Sequence, residues 1–358
     1  MKIAIILGTR PEIIKLSSII KKMEEDKMNY FVIHTNQHFS ENMDKIFFDE
    51  LKLPIPKYNL NIHSCSHGEM VGRMLIDIEK ILLDEKPDIV LVQGDTNSVL
   101  AGALTSSKLG IKIGHIEAGL RSFDKNMPEE INRIITDHIS DYLFVPTENA
   151  KDNLLDEGIN RQNIFIVGNT IVESISQNLN LARKKDTLKK LGLAKKGYAL
   201  LTIHRPENTD NPKRLKSIFE GIKKILKVTK LKIIFPIHPR TKKVFEDSKL
   251  NNYLNLDNLL VTAPLGYLDF LNLEENAKVI LTDSGGIQEE ACIIHVPCIT
   301  LRNNTERPET VNIKSNILVG TNIKQIVWAF KKMENKKNDW KQPFGKNNVS
   351  KKILDVII

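Results

Sequence analysis

Residues 281–291 read LTDSGGIQEEA, a segment in which small residues separate a strand-like run from a helix-like run. The apolar residues 278–281 predict a short buried strand, and residues 287–292 have helix-forming composition. The start of a helix leaves backbone N–H groups for an anion, and the helix dipole adds positive potential there. Gly285 and Gly286 would let the backbone approach a ligand closely. The turn that contains Asp283 and Ser284 therefore predicts an anion site, for which phosphate is a common ligand.

Two alternatives stay open for this segment. It can be an ordinary strand-to-helix turn with no ligand. Glu289 and Glu290, expected in the first turn of the helix, can favour the helix dipole. One of them can instead bind the hydroxyls of a sugar. The rest of the chain decides between these readings.

Composition sets outer limits on the class of protein. A chain of 358 residues with 41% hydrophobic residues has the length and apolar content for two domains. No apolar run reaches the ~20 residues of a membrane-spanning helix, and the apolar start is too short for a signal sequence, so we expect a cytoplasmic protein without stable membrane insertion. The net charge of +8 is spread over lysine-rich segments without interleaved aromatic residues, which does not indicate nucleic-acid binding. The three cysteines show no paired spacing, so we expect no disulfide framework.

Polar residues follow the predicted strands of the first half. Arg10 follows a strand at residues 2–7, and Lys15 lies one helical turn further on. Asp95 follows an apolar strand at residues 88–92, and Glu117 follows the next strand, so the two carboxylates meet at one edge if those strands are parallel neighbours. Glu129 precedes a helix. Converging carboxylates raise one another's pKa values and supply acids and bases, although Glu129 can equally be a helix N-terminal residue without a chemical role.

The second half repeats the pattern of strand, turn and helix. His204 follows one predicted strand, and Arg307 follows the last, where its guanidinium can meet an anion. We therefore predict an α/β fold of two doubly wound, Rossmann-like domains that face a cleft. The predicted N-terminal domain comprises residues 1–168 and is completed by a C-terminal helix in residues 343–358. Residues 169–342 form the predicted second domain.

Eight short motifs in order give the chain a family resemblance. They are GTRPE (8–12), QH (37–38), GDT (94–96), GHIEAGLR (114–121), PEEINR (128–133), GNT (168–170), TDSGGIQEE (282–290) and TERPE (305–309). Together they resemble the non-hydrolysing UDP-N-acetylglucosamine 2-epimerases. The resemblance implies a glycosyltransferase-B type fold, a homodimer and a UDP-sugar substrate. It also implies interconversion of UDP-N-acetylglucosamine and UDP-N-acetylmannosamine without a cofactor or a metal, in support of surface polysaccharide or glycan synthesis.

The same resemblance implies roles for individual residues. A base removes the C2 proton while UDP leaves C1, which gives 2-acetamidoglucal, and UDP then adds back. The acids and bases would be Asp95, Glu117 and Glu129, without assignment of the C2 base. The remaining implied residues bind UDP: Arg10 and His204 at the diphosphate and leaving oxygen, with a catalytic role as well; Lys15, Ser284, Gly285, Gly286 and Arg307 at the phosphates; Glu290 at the ribose; and Leu265 and Phe270 at the uracil. Helical spacing alone would make Phe270 a core residue.

Three further points concern alternatives. His63, Cys65 and His67 lie close together, but their spacing matches no common zinc pattern, and we expect no metal site there. Pro206 stands where bacterial relatives activated by their own substrate often have an arginine, and residues 39–42 also depart from the bacterial pattern, so we expect weak or no substrate activation. A hydrolysing epimerase, a glycosyltransferase and a catalytically inactive sugar-nucleotide-binding protein are the alternative functions. The GDT motif argues against the first, the missing acceptor-loop or membrane-docking signal against the second, and the three carboxylates against the third.

Overall fold

The computed structural model describes residues 1–37, 41–62 and 66–358. Two compact units make up the chain. Unit 1 comprises Met1–Gln177 and Phe344–Ile358, and unit 2 comprises Asn178–Pro343. The sequence predicts boundaries after residues 168 and 342, so the first boundary lies further along the chain than expected.

The strands and helices follow the predicted order closely. The strands are β1 Lys2–Leu7, β2 Asn29–His34, β3 Tyr58–Asn59, β4 Ile89–Gln93, β5 Lys112–Ile116, β6 Tyr142–Val145, β7 Ile164–Ile166, β8 Tyr198–Thr202, β9 Lys232–Pro236, β10 Leu259–Thr262, β11 Val279–Thr282, β12 Cys298–Thr300 and β13 Asn316–Leu318. The helices are α1 Arg10–Glu25, α2 Glu41–Leu51, α3 His67–Glu85, α4 Asn97–Lys108, α5 Pro128–Ile139, α6 Glu148–Asp156, α7 Ile171–Arg183, α8 Thr187–Lys190, α9 Pro206–Thr209, α10 Pro212–Val228, α11 Pro239–Asp247, α12 Tyr267–Asn276, α13 Gly285–Ile293, α14 Pro308–Asn312, α15 Ile323–Met333 and α16 Val349–Ile357.

Each unit contains one parallel sheet whose strand order reverses once. In unit 1 the order is β3-β2-β1-β4-β5-β6-β7, and in unit 2 it is β10-β9-β8-β11-β12-β13. The chain therefore changes direction between β1 and β4 in unit 1 and between β8 and β11 in unit 2. Open sheets of this kind bind ligands outside the carboxyl ends of the strands at that point. Strands β4 and β5 pair in parallel, which meets the condition for Asp95 and Glu117 to lie at one edge of the sheet.

Both faces of each sheet are covered. In unit 2, Ala199 and Leu201 of β8 pack into one buried cluster, whereas Tyr198 and Leu200 of the same strand pack into another. This alternation places one apolar core on each face of the sheet. The fully buried run 3–7 in β1 has the near-continuous apolar composition of a strand with both faces covered. The predicted doubly wound α/β fold is confirmed.

A helix that crosses a bilayer needs about 20 largely apolar residues. No helix in residues 1–37, 41–62 and 66–358 is both long enough and apolar enough to span a bilayer.

Candidate active site

Glu117 occupies a strained position directly after β5. Its φ angle is +73°, in the left-handed region that non-glycine residues rarely adopt. The buried carboxylate accepts hydrogen bonds from Lys15 Nζ, at 2.6 Å, and from Gln93 Nε2. Lys15 is also buried, so this ion pair is shielded from water. Backbone strain of this kind costs ~1–3 kcal/mol and concentrates at functional sites.

Asp95 follows β4 and forms an ion pair with the buried guanidinium of Arg133. The same guanidinium binds Glu130, whose carboxylate also accepts the backbone N–H of Ser122 at 3.0 Å. Burial alone would raise the pKa of Glu130, but the hydrogen bond from Ser122 and the charge of Arg133 lower it below its ordinary value. Glu130 is thus the buried acid of the pair at this helix start, whereas Glu129 is half-buried. Asp95 and Glu117 each face a cation.

Asp137 stabilises the turn before Asp95 through its contact with His115. It lies fully buried in α5, with one oxygen 2.6 Å from His115 Nδ1 and the other 2.7 Å from Arg121 Nη1. Burial by itself would raise the pKa of Asp137, but His115 and Arg121 together bring it below its ordinary value. The other ring nitrogen of His115 lies 2.8 Å from the carbonyl oxygen of Gly94. His115 therefore connects Asp137 to the turn that carries Asp95.

Glu12 connects the turns that follow β1 and β4. Its buried carboxyl accepts the backbone N–H of Gly8 at 2.9 Å and the hydroxyl of Thr96 at 2.8 Å. Burial raises the pKa of Glu12 to about 7, despite the opposing effect of these hydrogen bonds. Arg10, two residues earlier, is half-buried, and its guanidinium carbon lies 5.7 Å from the centre of the Phe47 ring. The sequence did not single out Glu12.

In unit 2, Asp283 orients His204. Asp283 is fully buried after β11 and accepts the backbone N–H groups of His204 and Arg205, each at 3.1 Å, and the side-chain amide of Asn208 at 3.1 Å. Burial would raise the pKa of Asp283, but the contacts with His204 and Asn208 lower it. His204 Nδ1 lies 3.2 Å from Asp283, while the His204 side chain is 50% exposed. A donating Nδ1–H would leave Nε2 for a ligand.

The two glycines at the start of α13 have different roles. A Cβ atom on Gly285 would lie 2.5 Å from Glu306 Oε1, a carboxylate that binds Arg302 at 2.9 Å. On Gly286 it would meet only Ser284 Oγ, at 4.0 Å. Gly285 therefore also accommodates the protein's own carboxylate, and the approach of a ligand to the two glycines stays a prediction. Gly286 and Ser284 are both half-buried, so part of each residue is open to solvent.

The acids of α13 lie beyond its first turn, so their predicted place in that turn is wrong. Glu289 is fully buried and pairs with the buried Arg307, the residue predicted to bind phosphate. Glu290 is nearly buried and contacts the carboxyl of Glu274 on α12. Any phosphate contact by Arg307 would have to share the guanidinium with Glu289.

The predicted uracil-lining residues lie against the core of unit 2. Leu265 and Phe270 are both half-buried and pack against the cluster that contains Leu200 and Ala291. Phe270 thus contributes to the core, as its helical spacing suggested, and its contact with uracil stays a prediction.

Helix α5 explains why several buried polar residues escaped prediction. It buries Glu130, Arg133 and Asp137, whereas Ile131 and Ile135 are exposed. This reverses the usual pattern of a surface helix, in which apolar residues face the core. The polar spacing 130, 133, 137 is helical and is the signal that could have identified the buried side.

Some expectations lie outside the described residues. These are His38 of the QH motif, residues 39 and 40, and His63 and Cys65 of the rejected metal group. Among the side chains of residues 1–37, 46–62 and 66–358, no group of three or more His, Cys, Asp or Glu is arranged to hold a metal ion.

Acids, a histidine and a helix N-terminus thus lie at the strand-order reversals of two Rossmann-like sheets. This fold defines an α/β protein of the doubly wound class, in which ligands bind at such strand ends. Residues 21–358 match a family profile described as UDP-N-acetylglucosamine 2-epimerase, and the chain belongs to this family. The family expected from the eight motifs is confirmed.

Individual relatives cover the whole chain. The UDP-N-acetylglucosamine 2-epimerase of Methanocaldococcus jannaschii is 59% identical over 361 residues, which include 100% of this chain and 99% of the relative. A crystal structure of the UDP-GlcNAc 2-epimerase of that organism, in complex with UDP-GlcNAc and UDP, gives a TM-score of 0.96 over 100% of this chain and 99% of that one, at 59% identity. A UDP-2,3-diacetamido-2,3-dideoxy-D-glucuronate 2-epimerase of Pseudomonas aeruginosa is 46% identical over 329 residues, or 91% of this chain and 90% of the relative.

Proposed function

We propose that this protein interconverts UDP-N-acetylglucosamine and UDP-N-acetylmannosamine by inverting C2. The full-length similarity to the M. jannaschii epimerase supports the substrate. The observation that carries the chemistry is the edge of the unit 1 sheet, where Glu117 is strained and ion-paired with Lys15 and where Asp95 follows the neighbouring strand. An inversion next to the anomeric carbon requires a group that removes a proton and a group that returns one to the opposite face.

The proposed reaction proceeds by anti elimination. A base takes the proton from C2, the C1–O bond to UDP breaks, and the resulting double bond gives 2-acetamidoglucal. UDP then adds back to C1 while C2 receives a proton from the opposite face. Asp95, Glu117 and Glu129 are the proposed acids and bases, and the C2 base is one of the three. Positioned acids and bases of this kind contribute ~10²–10⁴-fold to a rate.

Other residues would bind the UDP portion. The N-terminus of α13, with Ser284, Gly285 and Gly286, would hold a phosphate through backbone N–H groups. His204, oriented by Asp283, would donate through Nε2 to the leaving oxygen.

The remaining ligand contacts follow the same proposal. Arg10, Lys15 and Arg307 would offset charge on the departing diphosphate. Glu290 would accept hydrogen bonds from the ribose hydroxyls, and Leu265 and Phe270 would contact uracil. The homodimer, the cytoplasmic location and the supply of a precursor for surface glycans stay predictions.

NMR of UDP-N-acetylglucosamine incubated with the protein in D₂O tests the proposal directly. Deuterium at C2 together with UDP-N-acetylmannosamine would support epimerisation through proton removal. Free N-acetylmannosamine with stoichiometric UDP would instead indicate a hydrolysing enzyme. An unchanged sugar would exclude this substrate, and the same assay with UDP-2,3-diacetamido-2,3-dideoxy-D-glucuronate would then test the substrate named for the P. aeruginosa relative.

We further propose that the enzyme lacks strong activation by its substrate. Pro206 begins α9 and has no cationic side chain, whereas the preceding Arg205 lies 3.4 Å from Glu306. The rate should therefore rise hyperbolically with substrate concentration. A sigmoidal curve would contradict this proposal, particularly if trace UDP-N-acetylglucosamine abolished the sigmoidal shape in the reverse reaction.

A further inference from the structure

Glu274 is a buried acid to which the proposed reaction gives no role. It lies in the last turn of α12, is fully buried, and neither carboxyl oxygen receives a hydrogen bond from an N–H or hydroxyl donor in the described part of the chain. The apolar cluster beside it contains Leu273 and Ala277, its neighbours in sequence. A buried carboxylate without a donor or a cation is costly, so this position requires an explanation.

The groups around Glu274 indicate whether its carboxyl is neutral or ionised. The side chain of Glu274 contacts the carboxyl of Glu290 on α13. The other titratable groups that interact electrostatically with Glu274 include Tyr198, Tyr267 and Cys298, and all three are buried. None of these groups is a cation. Two adjacent carboxyls cannot both ionise at low cost, and burial together with Glu290 raises the pKa of Glu274 well above its ordinary value. A shared proton then makes one carboxyl a donor to the other.

The difference in burial between Glu274 and Glu290 indicates which of the two carboxyls carries the shared proton. Glu274 is completely buried, whereas Glu290 retains a small exposed area. The neutral acid belongs at the drier position, and the ionised acid belongs where a polar ligand can reach it. Glu274 would therefore be the donor and Glu290 the acceptor.

We propose that Glu274 is a positioning residue that stays protonated and donates its O–H to Glu290, so that the Glu290 carboxylate is held ready for the vicinal hydroxyls of the nucleotide ribose. This inference rests on the proposed function, because it assumes the ribose-binding role of Glu290. A protonated acid gives Glu290 one fixed hydrogen bond without adding a second charge. The arrangement would make recognition of ribose depend on a residue that never touches the ligand.

The test compares the affinity of the full-length protein for UDP and for 2′-deoxy-UDP by calorimetry. Glu274→Gln keeps a neutral donor of similar shape, whereas Glu274→Leu removes the donor and suits the apolar surroundings. We expect the wild type and E274Q to bind UDP about tenfold more tightly than 2′-deoxy-UDP, and E274L to lose most of that ratio without a lower melting temperature. Tyr267→Phe is the matched control and should keep the wild-type ratio, because it removes a neighbouring buried hydroxyl for which the described residues provide no hydrogen-bond partner.

Every outcome of this comparison decides the proposal. If E274L keeps the tenfold ratio, or if E274Q loses it as E274L does, donation by Glu274 is wrong while the role of Glu290 stands. If the wild type binds both nucleotides equally, the ribose role of Glu290 fails and the inference fails with it. Should E274L not fold, Glu274→Met provides the same loss of the donor. Epimerisation in D₂O, measured separately on the wild type, shows whether the proposed function itself holds.

Discussion

Asp137 in unit 1 and Glu274 in unit 2 are both buried carboxyls, yet their pKa values move in opposite directions. Asp137 lies within 2.7 Å of both His115 and Arg121, and its pKa falls below the ordinary value. Glu274 lies beside another carboxyl, that of Glu290, and burial together with Glu290 raises its pKa. Both residues are buried, so the opposite pKa shifts come from the groups that each carboxyl contacts. Asp137 thus lies beside cations, whereas Glu274 lies beside an acid with which we propose that it shares a proton.

The largest expected effect concerns an ionised acid at the proposed reaction centre. Glu117→Gln should lower turnover by about 10²–10⁴-fold if Glu117 acts in proton transfer, and it leaves the buried Lys15 without its ion pair. Turnover followed by NMR and the melting temperature separate these two consequences. Glu85→Gln is the control, because Glu85 also pairs with lysines, at Lys2 and Lys57, without a proposed role in the reaction. Equal turnover of E117Q and E85Q per folded molecule would remove Glu117 from the chemistry.

Asp137→Asn tests how much the ionised Asp137 contributes to the stability of the protein. It removes one of the two carboxylates that the buried Arg121 contacts, Glu157 being the other, so we expect the free energy of unfolding to fall by about 3–5 kcal/mol in urea denaturation. Asp141→Asn is the matched control, since Asp141 pairs with Lys112 at the surface and should matter far less. Similar losses for both variants would show that the buried pairs of unit 1 contribute no more than surface pairs.

Glu274→Gln tests whether Glu274 is neutral in the folded protein. A folded-state pKa above the unfolded value favours folding at low pH, and this contribution disappears as pH rises. E274Q should thus match the wild type near about pH 5 and exceed it by about 1–3 kcal/mol near about pH 8, measured by urea denaturation at each pH. Stability curves that stay parallel across this range would contradict a protonated Glu274.

Glu12→Gln should give the smallest effect. The pKa of Glu12 rises from 4.5 to about 7 in the folded protein, so wild-type stability relative to E12Q should decline across that interval as pH rises. We expect a difference below about 1 kcal/mol at neutral pH, because the amide of glutamine replaces one acceptor oxygen and partly offsets the gain. Melting temperatures at several pH values measure the trend, and a decline that occurs only above pH 7 would show a different titrating group.

The local predictions succeeded where a pattern within a few residues carries the information. The run that precedes Asp95 is apolar because its strand is buried on both faces, and the helix after Asp283 begins at Gly285 as the small residues indicated. The positions of Asp95, Glu117, His204 and Ser284 after their strands follow from this alternation alone.

Partners across the fold were not available to the same reasoning. Lys15 and Glu117 are 102 residues apart and form one ion pair, and Arg307 meets Glu289 rather than open space. Glu129 and Glu130 are neighbours in sequence, but Glu130 is buried and pairs with Arg133, whereas Glu129 is half-buried. Sequence identifies the acids at this helix start without identifying which one is buried.

The amino-acid sequence by itself determined the doubly wound fold, the family and the strand-end positions of the candidate residues, because these depend on hydrophobic periodicity and short motifs. Only the tertiary structure decided which buried acids meet cations and which meet another acid. Those pairings arise when helices pack on a sheet, and a pKa responds to distances of a few ångströms that no local pattern specifies. The charge of Asp137 and the neutrality of Glu274 are therefore properties of the packed units.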